Sequence, residues 1–202
     1  MSKEILPEYL SVTLDNNTAE PLLQAIAKEF EFPLTEADIF DLQILEDKFD
    51  QEKNCSGLAA PQIGISKRAI IFRVENDENL KKWRSNLEQF MPKTIWINPL
   101  CTPIGEDTND DYEGCFSVDN VAGLVTRANK ISYSAMDIDG NTITGEAKGF
   151  LARVIQHEID HLNGVLFIDL AKAENILDIE EYRRLRAAAI NAENSNSNDA
   201  QN

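Results

Sequence analysis

Two histidines, His157 and His161, are the only histidines in the chain, and they stand four residues apart with Glu158 between them. On an α-helix, residues i and i+4 lie one above the other, so both imidazole rings can reach a single metal ion. A glutamate beside the first histidine is the residue type that acts as a general base towards a metal-bound water. The pattern therefore predicts a metal-dependent hydrolase.

A catalytic metal of this kind usually has three protein ligands and one open position, so a third ligand is needed. A third histidine is excluded, because the position six residues beyond His161 is Phe167 and the chain has no other histidine. In a thermolysin-like arrangement the third ligand is a glutamate further along the chain, and three are formally available: Glu174, Glu180 and Glu181. The stronger interpretation is that these glutamates lie on a solvent-exposed helix face. The remaining candidates are the three cysteines, Cys55, Cys101 and Cys115.

The helix that must present the two histidines is predicted over residues 150–163. Its apolar residues recur at helical spacing, and Gly164 follows where a left-handed residue commonly ends a helix. The apolar positions are Leu151, Val154, Ile155, Ile159 and Leu162. Such a pattern predicts a helix packed against a core, with both histidines on its inner side.

The rest of the chain is predicted to contain both strands and helices. Thr35 followed by Asp38 is typical of a helix N-terminus, and apolar residues continue at helical spacing to Phe49. Further helices are predicted within 75–93 and from Ala173 to about Ile190. Strands are predicted over 68–74, 94–100, 130–138, 142–147 and 165–170. These elements predict an α+β fold, with antiparallel or mixed sheets around the histidine helix and an additional C-terminal helix.

The length and composition indicate one globular unit. The chain of 202 residues suits a single domain over 1–190, and the polar stretch 191–202 is predicted to be disordered. A net charge of −16 disfavours direct DNA binding and broad binding to anionic membranes. The cysteines are too few for a disulfide framework, and the first residues lack the apolar run of a secretory signal. We therefore expect a cytoplasmic protein.

Three blocks of sequence resemble, in order and spacing, the three motifs of the peptide deformylases. They are Gly57-Leu58-Ala59-Ala60-Pro61-Gln62, Glu113-Gly114-Cys115-Phe116-Ser117 and His157-Glu158-Ile159-Asp160-His161. Weaker similarity runs from about Glu20 to Leu170, which is most of the chain. Because three ordered motifs are specific, the chain is identified as a divergent member of this family.

The resemblance implies one divalent metal ion, held by Cys115, His157 and His161, with water in the fourth position. It also implies that the resulting hydroxide attacks the formyl carbonyl at the amino end of a formyl-methionyl peptide. Glu158 is the implied general acid and base, which takes the water proton and passes it to the leaving amine. Fe²⁺ is the implied physiological ion, and Zn²⁺, Ni²⁺ or Co²⁺ suit the same ligands.

Other residues receive supporting roles from the same resemblance. The Gln62 side-chain amide and the Phe116 backbone N–H are the implied donors to the oxyanion that forms during the reaction. Asp160 is implied to pair with Arg127, and this ion pair would orient the histidine helix. The resemblance therefore assigns a role to a carboxylate that would be costly if it were buried alone.

The resemblance also implies an apolar pocket for the methionine side chain of the substrate. The matching positions are Gly57, Cys55, Ser56, Phe150 and Val154. Most of these side chains are soft or apolar, which suits a flexible thioether. Formyl-methionyl nascent peptides are the implied partners, and a transient contact with the ribosome is a further expectation.

The chain departs from the family at several positions around this pocket. Cys55 stands where the family has a glycine, Phe116 replaces the usual leucine, and Asp119, Asn120 and Ala122 follow where proline and arginine are common. A side chain in place of the glycine favours a negative φ angle. The stretch 75–93 is also longer than expected, and its role is open.

These departures leave two alternatives. The first is a related metal-dependent amidase or peptidase with a different acyl or peptide specificity. The second is a non-catalytic metal-binding module associated with ribosomes, suggested by Arg183, Arg184 and Arg186 on the last predicted helix. Because no departure touches the metal ligands or the general base, hydrolysis of the formyl group is the predicted activity.

Overall fold

The computed structural model describes residues 6–12, 20–84 and 86–199, which form five α-helices and eight β-strands. The helices are α1 (Glu36–Gln51), α2 (Glu78–Trp83), α3 (Gly149–Leu162), α4 (Phe167–Leu170) and α5 (Ile179–Asp199). The strands are β1 (Gly57–Ala59), β2 (Ala69–Val74), β3 (Met91–Pro103), β4 (Thr108–Cys115), β5 (Val118–Ala128), β6 (Lys130–Met136), β7 (Thr142–Lys148) and β8 (Ile176–Asp178). Short 3-10 turns cover Pro21–Gln24, Ala60–Ile63 and Ala173–Asn175.

Two antiparallel sheets lie around α3. The larger sheet has the strand order β1-β2-β3-β6-β7, and the smaller sheet has the order β4-β5-β8. Helix α3 contacts strands of both sheets, and α5 is the additional C-terminal helix. The predicted α+β class is confirmed, and so is the hairpin, in which β6 pairs with β7 from Lys130↔Lys148 to Met136↔Thr142.

The apolar face of α3 packs on the larger sheet and forms the main core. Leu151, Ile155 and Leu162 are fully buried there, together with Ile70 and Trp96 of the sheet. Burying a large apolar side chain contributes about 1.5–3 kcal/mol, so this face fixes the helix on the sheet. Gly164 follows the helix with a φ of +74°, as the sequence predicts.

Helix α1 covers the outer end of the larger sheet. Its first turn has the predicted cap, in which the Asp38 N–H donates to Thr35 Oγ1 at 3.2 Å and the Thr35 N–H donates to Asp38 Oδ2 at 2.9 Å. Leu45 and Phe49 are fully buried in a second core cluster with residues of β1 and β2. This packing holds β1, which leads directly into the 3-10 turn Ala60–Ile63.

The prediction of a strand over 165–170 is wrong. Phe167–Leu170 forms the single helical turn α4, and the Leu166 N–H donates to Asp169 Oδ2 at 2.8 Å. A short apolar run does not distinguish a buried strand from a buried helix, and here the carboxylate satisfies the first backbone donor of a helix. Phe167 is fully buried in the third core cluster.

The helix predicted within 75–93 is much shorter than its apolar spacing suggests. Helix α2 covers only Glu78–Trp83, Leu87 and Phe90 lie beyond it, and β3 already begins at Met91. Helical backbone angles are unfavourable for the residue before a proline, so Pro92 favours an extended conformation at Met91, where β3 begins.

The final helix begins later and ends later than predicted. The chain first forms the turn Ala173–Asn175 and then β8, and α5 starts where Asp178 Oδ1 accepts the Glu180 N–H at 2.9 Å. The helix continues to Asp199, through most of the stretch 191–202 for which the composition predicts disorder. No glycine or proline interrupts this stretch, which follows an alanine-rich turn. Residues 200–202 lie outside the described part of the chain. Among the residues that the structure describes, no helix is both long and apolar enough to cross a bilayer.

Candidate metal centre and active site

Helix α3 presents both predicted histidine ligands on one side. The ring centroids of His157 and His161 lie 5.0 Å apart, as expected for residues one helical turn apart. Burial holds the pKa of His161 well below its usual range, so its ring is neutral. A neutral imidazole is the form that binds a metal ion.

Cys115 reaches the two histidines from the smaller sheet. It is the last residue of β4, and the register against β5 shifts between Glu113 and Cys115. Such a bulge redirects the side chain beside it. The Cys115 Sγ lies 3.2 Å from His161 Nε2, and one donor atom each of Cys115, His157 and His161 lies within 4.8 Å of the others. The structure therefore brings together the cysteine and both histidines that the resemblance implies as ligands.

This donor set fits a catalytic divalent metal. One thiolate and two imidazoles suit iron, zinc, nickel or cobalt, and three protein donors leave a position for water or substrate. Within the described residues, these three side chains are the one group of at least three possible metal ligands that converges in this way. The alternative ligands do not belong to it: Glu174, Glu180, Glu181, Cys55 and Cys101.

A buried carboxylate, Glu113, orients His157 from behind. Its Oε2 lies 2.8 Å from His157 Nδ1, and because an ionised carboxylate only accepts, Nδ1 carries a proton, which leaves Nε2 as the nitrogen that can bind a metal. Glu113 also accepts hydrogen bonds from Arg127 at 2.9 and 3.0 Å and from Arg153 at 2.7 Å. Although burial opposes ionisation, the hydrogen bonds from His157 and Arg127 hold the pKa of Glu113 well below its usual range.

The structure also brings Asp160 and Arg127 together. The Arg127 Nη1 donates to Asp160 Oδ2, while the Nε and Nη2 edge of the guanidinium donates to Glu113. Arg127 lies on β5 and Asp160 on α3, so the pair links the smaller sheet to the histidine helix. This is the contact that the resemblance implies for these two residues.

Glu158 is buried beside Gly57. A Cβ atom on Gly57 would lie 2.4 Å from Glu158 Oε1, so only glycine leaves room for the carboxylate. Burial raises the pKa of Glu158 to about 7. Its Oε2 has no hydrogen-bond partner among the described residues. A carboxyl group with these properties is suited to accept and release a proton near neutral pH.

Gln62 is buried, and its side-chain amide is directed at Cys115. Its Oε1 accepts the Ala59 N–H at 2.8 Å, which fixes the orientation of the amide. Its Nε2 therefore faces Cys115 Sγ and Ser117 Oγ, at 3.2 Å from each. The 3-10 turn Ala60–Ile63 carries Gln62 into this position directly after β1.

Phe116 lies in the tight turn between β4 and β5, next to Cys115. Its ring is 40 % exposed and stacks on Tyr9, with ring centroids 4.8 Å apart and planes inclined by 8°. The Tyr9 hydroxyl donates to Glu52 Oε1 at 3.2 Å, which holds the stack at the rim of the site. The phenyl ring that replaces the usual leucine is therefore part of an aromatic rim.

A cleft of about 820 Å³ opens in front of these groups. It is lined by Cys115, His157, Glu158 and Gln62. All five predicted pocket residues line it as well: Gly57, Cys55, Ser56, Phe150 and Val154. The structure thus brings the predicted pocket and the predicted catalytic residues into one cavity.

Cys55 fits into this cleft with a negative φ angle. The non-glycine residues with a positive φ in the described ranges are Asn98 and Asn120, so Cys55 carries no left-handed strain. Its thiol donates to the Gly57 carbonyl at 2.9 Å, and burial raises the pKa of the thiol. The cysteine is therefore a protonated, partly polar wall of the pocket.

Comparison with known proteins identifies the chain. A sequence profile described as Polypeptide deformylase matches residues 16–176. The chain belongs to the polypeptide deformylase family. The family that the three motifs predict is thus confirmed, and so is the assignment of the chain as a metal-dependent peptide deformylase.

Relatives of this deformylase include close and distant members. It is 54 % identical to Peptide deformylase 2 of Rickettsia conorii over 194 residues, which cover 95 % of this chain and 96 % of that relative. It is 41 % identical over 160 residues to the peptide deformylase of Carboxydothermus hydrogenoformans, which covers 78 % of this chain and 91 % of the relative. The similarity therefore extends over nearly the whole chain.

Solved structures of deformylases share the fold. The Met-Ala-Ser-bound class I type b enzyme of Acinetobacter baumannii superposes with a TM-score of 0.70 at 26 % identity, covering 82 % of this chain and 98 % of that chain. The enzyme of Synechococcus elongatus in complex with actinonin gives a TM-score of 0.64 at 30 % identity, covering 86 % and 84 %.

Sequence reasoning missed several residues of this deformylase site. Glu113 is quoted within a motif but receives no role, and Arg153 is not singled out. The cleft is also lined by residues that were not predicted to line it, among them Arg84, Ile179 and Arg183. The position of Glu113 two residues before the metal cysteine is the one signal that could have indicated its role.

Proposed function

We propose that this chain removes the formyl group from formyl-methionyl peptides of newly made proteins, using the residues assembled in the cleft. The observation that carries the proposal is the convergence of Cys115, His157 and His161 with the buried Glu158. The Acinetobacter enzyme of the same fold is bound to Met-Ala-Ser, a peptide that begins with methionine. This supports a methionine-initiated peptide as the substrate here.

Cys115, His157 and His161 would hold the metal ion, and Fe²⁺ is the proposed physiological ion. Zn²⁺, Ni²⁺ or Co²⁺ would suit the same donors in purified protein. When bound, the ion supplies Lewis-acid chemistry towards water and the formyl carbonyl. Glu113 supports this role because its hydrogen bond to Nδ1 keeps the His157 ring in one tautomer and one orientation.

Glu158 moves the proton in the proposed reaction. Its carboxylate accepts the proton of the attacking water and then delivers it to the nitrogen of the leaving amine. Two observations support this role, namely the burial of the group and the Oε2 atom that has no hydrogen-bond partner among the described residues, and the burial raises the pKa of the group to about 7. The absence of a side chain on Gly57 keeps this space available.

Gln62 and the Phe116 backbone N–H are the proposed donors to the oxyanion of the tetrahedral intermediate. The Gln62 amide is preorganised, because its oxygen is fixed by the Ala59 N–H and its nitrogen points at the metal cysteine. Donors that are already in place stabilise a developing charge without reorganisation at the moment of reaction.

The methionine side chain is proposed to enter the pocket formed by Gly57, Cys55, Ser56, Phe150 and Val154. Phe150 and Val154 lie one helical turn apart on the face of α3 that also carries His157. The Cys55 thiol and the phenyl ring of Phe150 are soft, polarisable groups, and they suit contact with a thioether. A substrate held there would present its formylated amine to the metal ligands.

We further propose that the enzyme acts in the cytoplasm on nascent chains and contacts the ribosome transiently. The proposed substrate supports this, because a formylated N-terminus is first accessible on a chain that is still being made. The cation cluster on α5 gives it little support, because Arg183 pairs with Glu180 and Arg184 pairs with Glu181.

The test is release of formate from formyl-Met-Ala-Ser by protein loaded anaerobically with Fe²⁺ or Ni²⁺. The Glu158→Ala variant is expected to lose about 10²–10⁴-fold in kcat, because the proton transfer is removed. Glu174→Ala, which removes an exposed carboxylate outside the cleft, is the matched control and is expected to keep the wild-type rate.

Acetyl-Met-Ala-Ser tests the alternative specificity in the same assay. The proposal requires a strong preference for the formylated peptide. Equal turnover of both peptides would indicate a general amidase, and metal-loaded protein that releases neither acyl group would contradict the proposed function.

A further inference from the structure

The α2 segment, defined here as residues 78–84 and 86–90, has no role in the proposed reaction but is fastened to the start of α3. The Phe150 N–H donates to the Asn86 carbonyl at 3.0 Å, and the Lys148 N–H donates to Gln89 Oε1 at 3.0 Å. Lys148, the N-cap of α3, makes no capping hydrogen bond with its own side chain. The α2 segment therefore satisfies backbone donors that the helix start leaves open.

Gly149 allows this close approach. A Cβ atom there would lie 2.2 Å from the Asn86 carbonyl oxygen, and the backbone has a φ of +59°. Both features require glycine at this position. The α2 segment is thus seated at a defined place on the helix that carries the metal ligands.

From this seat the segment directs one side chain, Arg84, into the cleft. Arg84 Nη1 donates to Asp111 Oδ2 at 2.7 Å and to the Tyr112 carbonyl at 3.0 Å. The ion pair is largely shielded, with side-chain exposures of 18 % for Arg84 and 15 % for Asp111. The guanidinium carbon lies 5.0 Å from the centroid of the Phe150 ring, and Arg84 lines the cleft together with Phe150.

The position of Phe150 shows which part of the pocket Arg84 covers. Phe150, Val154 and His157 follow one another along the cleft side of α3. A helix rises 1.5 Å per residue, so Phe150 lies roughly 10 Å along the axis from the metal ligand His157. The Arg84 guanidinium therefore lies beside Phe150, the predicted pocket residue of α3 that is farther from His157.

We propose that Arg84 is a specificity-determining residue of this deformylase, which closes the far end of the methionine pocket and limits the size of the side chain that enters. The inference rests on the proposed function for the placement of that pocket. A guanidinium held by two acceptors and lying over an aromatic ring is a rigid wall, because its planar fork has few alternative positions. A narrow unbranched side chain fits in front of such a wall, whereas a wide aromatic side chain is excluded.

The test compares kcat/KM for formyl-Met-Ala-Ser and formyl-Phe-Ala-Ser in metal-loaded wild type and Arg84→Ala. Removal of the wall is expected to lower the methionine-to-phenylalanine ratio about tenfold, the usual scale for size selection in an apolar pocket. Lys82→Ala is the matched control, since it removes an exposed cation from the same α2 segment but not from the cleft. It is expected to keep the wild-type ratio.

The Arg84→Lys variant keeps a cation that can pair with Asp111. It replaces Arg84→Ala in the test if the alanine variant does not fold. An ammonium group lacks the planar shape of a guanidinium and covers the Phe150 ring less well. The methionine-to-phenylalanine ratio of kcat/KM is therefore expected to fall in this variant as well, by about threefold. A ratio within twofold of wild type in a folded Arg84 variant would overturn the proposal. Failure of the proposed function is distinguishable, because wild-type protein would then release no formate from either peptide.

Discussion

Arginine–glutamate pairs occur in two regions of this deformylase with opposite surroundings. Behind the metal ligands, Glu113 binds Arg127 and Arg153, and these side chains are 5 %, 7 % and 3 % exposed. On α5, Arg184 and Glu181 are 73 % and 51 % exposed and lie 3.9 Å apart. Burying the charges of the first region costs several kcal/mol of desolvation free energy per ion, whereas the exposed charges of the second region lose almost no solvation.

The difference teaches what the buried charges are for. The exposed pair on α5 is solvated in any conformation, so it constrains little. The buried cluster is retained at a desolvation cost, and Glu113 uses both of its oxygens to bind Arg127, Arg153 and His157. Its position is therefore determined on several sides, and this is what holds a metal-binding imidazole in one orientation.

The largest effect is expected from Glu113→Gln, which breaks the buried cluster. The variant leaves Arg153 buried without its counter-charge and leaves Arg127 with Asp160 alone, at a cost of about 3–5 kcal/mol in the free energy of unfolding. It also weakens the hold on His157, so metal affinity is expected to fall about 10–100-fold. Urea unfolding and titration of the apoprotein with Zn²⁺ or Ni²⁺ measure the two effects.

Glu181→Gln on α5 is the matched control for that change, since it removes the same charge from an exposed pair. Its stability and metal affinity are expected to equal those of wild type. If Glu113→Gln were no more destabilising than this control, the contrast between the two regions would be lost.

An intermediate effect is expected at Asp38, whose pair with Lys67 lies between the two extremes at exposures of 6 % and 33 %. Hydrogen bonds from Lys67 and Thr35 lower the pKa of Asp38 from 3.8 to about 2. Because the folded pKa is the lower one, the stabilisation is present above pH 3.8 and is lost as the pH falls towards 2. Asp38→Asn is expected to cost about 1 kcal/mol at pH 7, and this cost is expected to decrease as the pH falls from 3.8 towards 2.

Urea unfolding of wild type and Asp38→Asn across this pH range measures the difference. Glu36→Gln, at an exposed position in the same helical turn, is the control and is expected to show no such pH-dependent gap. A gap that stays constant from pH 7 to pH 2 would show that the charge of Asp38 is not its source.

The smallest effect is expected from Arg184→Ala on the exposed side of α5. Its ion pair is long and solvated, so the free energy of unfolding should change by less than about 0.5 kcal/mol. Chemical unfolding at low and high salt measures this. A loss above about 1 kcal/mol would mean that exposure does not separate the two regions.

Much of the catalytic centre was predictable because its pattern is local. The spacing of His157, Glu158 and His161 needs only one helical turn to bring the three residues together. The cap at Thr35 and the hairpin between β6 and β7 are local in the same sense. Cys115 and Gln62 were found only through the family motifs, since no local rule brings residues from two sheets to one point.

The predictions of secondary structure are wrong where contacts distant in sequence decide the local conformation. The apolar run 165–170 has the composition of a strand, but its burial against the smaller sheet favours the helix α4, which the local Asp169 hydrogen bond then caps. In the same way, pairing with β5 turns Ile176–Asp178 into β8 and delays the start of α5. A short segment does not contain the information about such partners.

The sequence by itself determined two histidines at helical spacing around a glutamate, a cysteine that the family motifs add to them, and an α+β fold around one helix. Only the tertiary structure decided the surroundings, namely the carboxylate of Glu113 behind His157, the empty space at Gly57 and the guanidinium of Arg84 beside Phe150. The physical reason is that residue type and helical spacing act locally, whereas burial and charge pairing depend on which distant segments meet.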